Sequence, residues 1–311
     1  MRKVSPTFIF PALLSVISLF ILFYIHGLLS ELSIVQKVIE GGFLVLGGMS
    51  IFAILKDRVW LRIAISTALM WSMVTFFVFR LMGEEPFGLD IYRDSRYLIF
   101  LIILVGSTAI GLLRKSFISR WIAMALAFSG FLSAGINVGP WLTYSSNFTW
   151  GLLLHVGGAL LLFANLWGPR MRDALLGDTH EIWISKDPAL TFLRFSLFSV
   201  IAAIPLLLVY SWVQNILPST QPWALSIAAF LITGVVLVVR QKLVGAIALA
   251  VGGLALILLS TTLLYHGFTT DIPNHERIAL YYSVFWIPAG FLSVLSGLKV
   301  IKPVLKLLRA D

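Results

Sequence analysis

Histidine offers this chain its clearest route to chemistry. Three of its five histidines recur near the same side of long apolar stretches: His26, His155 and His266, with His275 in the loop after the last of them. Neutral imidazoles bind zinc, copper and haem iron, so His26, His155 and His266 form the candidate metal set. A competing reading leaves them structural. His26 and His266 fall at headgroup depth, where an imidazole needs no ligand, and Gly157 and Gly158 beside His155 suit close helix approach. Ser133 and His155 lie at similar depth on adjacent stretches, the pairing that activates a serine for acyl attack. The Gly-x-Ser-Gly arrangement is absent around Ser133, and small-residue helix packing accounts for it. A third reading joins Ser133, Asn137, His155, Asn165 and Tyr282 into a polar path for a neutral or zwitterionic solute, with interhelical hydrogen bonding as its alternative.

Absences narrow the chemistry further. The chain has no cysteine, which excludes disulfides, thiolate metal sites, iron–sulfur clusters and a cysteine nucleophile. No aspartate or glutamate lies in the middle of an apolar stretch, so the carboxylate relay of many proton-coupled pumps is missing. Asp178-Thr-His180-Glu181 lacks a spaced partner cluster and reads as a solvated connector. The expectation is a non-enzymatic chain with no cofactor.

The elements that must position these residues are membrane helices. Of 311 residues, 59% are hydrophobic and 12% charged, with a mean hydropathy of +0.97. A soluble domain carries about 25% charged residues, so most of this surface must face lipid. Apolar runs near the roughly 20 residues a crossing needs occur near 7–29, 36–55, 59–80, 97–113, 121–139, 148–168, 195–214, 222–239, 243–265 and 278–298. Lipid offers no partner to bare backbone groups, so each must be helical. The first run, behind Met1-Arg2-Lys3, is too long for a signal peptide and reads as a retained span. The expected fold is an all-α, polytopic bundle of ten spans forming one integral membrane domain over 1–311, with a connector at 169–194.

Charge orients the bundle. With the N-terminus inside, 18 of the 23 basic residues fall inside and five outside, a strong positive-inside bias. Both termini are then cytoplasmic, in the cytoplasmic membrane of a bacterium or archaeon. The span at 36–55 is the weakest, yet without it every later loop changes sides and breaks the rule. Arg62, one turn inside the third span, is expected to snorkel to the headgroups. Because the +9 charge is sorted by side, it excludes nucleic acid and points to the lipid bilayer, with other membrane subunits as further partners.

The stretch Leu154-His155-Val-Gly-Gly through Pro169-Arg170 resembles the Leu-His, small-residue, Pro-Arg helix of copper-resistance and related haem-associated membrane proteins. That resemblance covers one span and implies a haem or copper role for the outer histidines. In span number, length and orientation the chain resembles the drug/metabolite class of transporters, although the long connector after six spans departs from a five-plus-five repeat. The functional expectation is a permease or facilitator for a small neutral or lipid-like molecule. A non-catalytic subunit or scaffold of a larger complex is the alternative, and a haem- or copper-associated protein the third reading.

Overall fold

The computed structural model describes residues 9–19, 34–82, 95–136, 146–175, 188–212, 216–239, 242–270 and 275–307. Helix is the one repeating element among them, and no strand occurs in the described residues. The helices are α1 (Ile9–Leu19), α2 (Ile34–Leu55), α3 (Val59–Leu81), α4 (Ser95–Leu113), α5 (Phe117–Ile136) and α6 (Ser146–Leu166). There follow α7 (Pro169–Ala174), α8 (Pro188–Trp212), α9 (Gln221–Val239), α10 (Leu243–Thr269) and α11 (His275–Leu307). Seven of these (α2, α3, α4, α8, α9, α10 and α11) are long and apolar enough to cross a membrane. The chain is therefore a multi-span integral membrane protein. Shorter apolar helical segments run over Ile9–Leu19, Phe117–Phe131 and Val156–Leu166.

Two compact units divide the chain, Met1–Asp178 and Thr179–Asp311. The division falls inside the 169–194 connector, part of which is helical: α7 begins at Pro169 and α8 at Pro188. In both cases proline occupies the first turn, where its missing N–H costs nothing.

In the first unit α3 packs against α2, α4 and α6, and α5 packs against α4 and α6. Two three-residue turns close its hairpins in the same way. Arg58 N–H reaches back to Ala53 O at 2.8 Å after α2, and Ser116 N–H to Gly111 O at 2.9 Å after α4. The intervening Asp57 and Lys115 have φ of 53° and 56°. This is the left-handed residue of a Schellman cap, which glycine usually occupies. The turn at Lys242, whose N–H reaches Leu237 O at 2.8 Å, has the same back-bond in the second unit.

In the second unit α8 packs on α9 and α11, α9 on α10, and α10 on α11 along a line of small residues. A Cβ on Gly253 would lie 2.7 Å from Gly290 O, one on Gly290 2.7 Å from Gly253 O, and one on Gly297 2.6 Å from Ala246 O. Backbone meets backbone here, the arrangement that substitutes for hydrophobic driving force in lipid. Ser293 Oγ donates to Leu249 O at 2.6 Å and Ser283 Oγ to Ser260 O at 3.1 Å, tying the same two helices. Ser296 Oγ adds a 2.8 Å bond to Ser196 Oγ on α8.

Many of the polar residues in the apolar helices are satisfied within their own helix. Ser72, Thr75 and Ser199 each donate to the carbonyl four residues back, which lets a hydroxyl sit in lipid without a second helix.

Candidate functional site

Two buried arginines of the first unit, Arg62 and Arg120, meet at the end of α6. α6 stops at Leu166 because Gly168 takes φ 110°, a conformation open to glycine alone at little cost. An ending helix leaves its last four carbonyls without intrahelical donors. Here the carbonyls of four consecutive residues all accept from arginine. Arg62 on α3 donates from Nη2 to Ala164 O at 3.2 Å and Trp167 O at 2.6 Å, and from Nε to Asn165 O at 3.0 Å. Arg120 on α5 donates from Nε to Leu166 O at 2.9 Å. Arg62 is 2% exposed and Arg120 6%, so both cations sit in protein against the negative end of a helix dipole. Arg62 therefore does not snorkel. Its fork finds oxygens within the protein, which removes the reason to reach for headgroups.

Asn165 lies inside this clamp. Fully buried, it donates from Nδ2 to Ser50 Oγ on α2 and to Leu161 O, both at 2.8 Å, while its Oδ1 has no hydrogen-bond partner. Beyond the clamp Arg170 on α7 forms an ion pair with Asp57. That pair borders a cavity of about 380 Å³ lined by Asp57, Arg58, Val59, Trp60, Ile63, Lys115 and Ala174. With Asp57 neutralised by Arg170, Arg58 and Lys115 leave the cavity net positive, and both side chains are exposed. Trp60, 68% exposed, and Val59 and Ile63 supply an apolar flank. The arrangement can bind an anionic group at one side and hydrocarbon at the other.

The remaining sequence candidates are distributed as follows. Tyr282 belongs to the second unit, fully buried in an aromatic cluster with Tyr210 and Trp286 at centroid distances of 4.7–5.6 Å. Tyr210 shares a 2.8 Å hydrogen bond with Thr220. His266 lies in the last turn of α10 and its ring meets His275 of α11. Ser133 lies on α5 and His155 on α6, with their side chains outside the described residues; His26 and Asn137 lie outside them altogether. The described residues contain no group of three or more metal-ligating side chains.

Sequence reading missed the arginine clamp because its acceptors are backbone carbonyls, which carry no residue signature. Trp167-Gly168-Pro169 did mark a helix stop, and a basic residue near the start of two helices was visible. What joins them spans 46 to 105 positions. No protein-family model matches the chain, and no curated protein or solved structure matches it.

Proposed function

We propose that the protein is a ten-span, N-in/C-in facilitator for an anionic, lipid-like molecule whose head binds in the cavity beside Arg58 and Lys115. The cavity is the observation that carries this reading, since it sets two exposed cations against Trp60, Val59 and Ile63. Basic pockets between spans at the cytoplasmic side are recurrent sites for phospholipid headgroups. Seven of the ten apolar runs fall on helices long and apolar enough to cross a membrane, and the other three overlap shorter apolar helices among the described residues; the 18-to-five charge division supports the orientation.

The test is reconstitution into vesicles containing a fluorescent anionic phospholipid, with binding and transbilayer movement measured separately. Each cation near an anionic lipid contributes about 1 kcal/mol, so Arg58→Ala combined with Lys115→Ala is expected to weaken binding roughly thirtyfold. Movement at subsaturating lipid should fall in step. Unchanged binding in the double variant would sink the reading.

A second reading, a scaffold subunit, draws on the second unit, whose interior around Tyr210, Tyr282 and Trp286 is filled by aromatic rings. Purification in mild detergent separates the two. Constant stoichiometric partners and no lipid movement favour the scaffold.

A further inference from the structure

We infer that His266 and His275 form an exchangeable binding site for a divalent transition-metal ion, Cu2+ most tightly. His266 lies in the last turn of α10 and His275 opens α11. The helices meet closely at this end because position 267 is glycine: a Cβ there would lie 2.7 Å from Ala279 Cβ and 3.1 Å from His275 O. The two rings are thereby held at a centroid distance of 5.7 Å with a 41° tilt.

Two nitrogens on these rings have nothing to bond. His266 Nε2 and His275 Nδ1 are both shielded from solvent and have no hydrogen-bond partner. Buried polar atoms normally find one, since leaving one unmade is costly. A metal ion supplies what both lack. With metal–nitrogen bonds of about 2.0–2.1 Å, an ion lies about 3.2 Å from each ring centroid, so two imidazoles sharing it stay within about 6.4 Å of each other. The observed 5.7 Å falls inside that limit.

Ligand chemistry selects the ion. Imidazole suits Cu2+, Zn2+ and Ni2+, and the divalent series places Cu2+ highest. No third histidine, aspartate or glutamate completes the set among the described residues. Water or a ligand from solution then fills the remaining positions. The site is open and its metal exchanges, unlike a closed structural zinc site. It is independent of the cavity reading, lying in the other unit.

The experiment uses the full chain, without a polyhistidine tag, stripped of metal in nanodiscs and titrated with CuCl2. One Cu2+ per chain is expected, with an electron paramagnetic resonance spectrum showing hyperfine coupling to two nitrogens. His266→Gln and His275→Gln should each weaken Cu2+ binding by at least about tenfold, as loss of a supporting group in a metal site does. A spectrum of the unmodified chain with oxygen ligands or a single nitrogen overturns the assignment, whether or not the variants fold. Full Cu2+ affinity in both variants overturns it as well.

Discussion

Arg62→Met is expected to destabilise the protein by roughly 3 kcal/mol, the scale of stranding buried acceptors after a charged donor is removed. Buried ion pairs can often be replaced by apolar residues at no net cost, because both partners go together. That escape is closed here. The acceptors are the carbonyls of Ala164, Asn165 and Trp167, and no substitution deletes a backbone oxygen. Lysine at 62 should restore only part of the loss, since an ammonium lacks the planar fork that serves several carbonyls at once. Adding Arg120→Met should cost less than the sum of the single changes, because both arginines cap one helix end. Thermal unfolding in detergent, followed by tryptophan fluorescence, measures the series. Arg62→Met as stable as the parent would mean that the clamp contributes nothing.

Gly290→Val should be comparably damaging, by about 3 kcal/mol, at the upper end of the usual cost of overpacking. A Cβ at 290 lies 2.7 Å from the Gly253 carbonyl oxygen and 2.7 Å from Ile257 Cγ1. The side chain of Ile257 can turn away, but the backbone of α10 cannot yield without separating the helices. Separation would also break the Ser293–Leu249 and Ser283–Ser260 bonds. Gly48→Ala is the matched control. Nothing lies within 4 Å of a Cβ there, so alanine's better helix propensity should leave the protein unchanged or stabilise it by up to about 1 kcal/mol. Equal melting temperatures for Gly290→Val and Gly48→Ala would refute the account of the α10–α11 contact.

Helix positions were legible in the sequence because lipid leaves the backbone no alternative. The runs at 59–80 and 222–239 reappear as Val59–Leu81 and Gln221–Val239. Ends were less legible where a helix continues past its apolar stretch. α11 runs from His275 to Leu307, beyond the 278–298 run at both ends, and α8 starts at Pro188, seven residues before the expected 195. Hydropathy sees the hydrocarbon core, whereas helix propagation also needs caps, and Pro188 was the overlooked cap signal.

The candidate sites were legible as residues and illegible as partnerships. Histidines 266 and 275 stand nine positions apart, and the glycine at 267 lets α11 approach closely at the end where their rings meet. Asn165 looked like a path-lining amide. Ser50 Oγ and Leu161 O take both of its described donor bonds. Arg58 and Lys115 entered the charge count as interchangeable loop cations. The shared turn geometry sets them beside one cavity.

The clamp on α6 also dates the assembly of the first unit. Arg62 leaves the ribosome 105 residues ahead of Trp167, whose carbonyl it binds. At 5–20 residues per second, that interval is roughly 5–20 s. During it the guanidinium has a helix of its own and no helix end to hold, and headgroups are its available partners. Arg120 waits in the same way for Leu166. The hairpins α2–α3 and α4–α5 are thus synthesised as open jaws, and the arrival of α6 closes them. A nascent chain halted before Trp167 leaves both arginines without the helix-end carbonyls they hold in the finished chain.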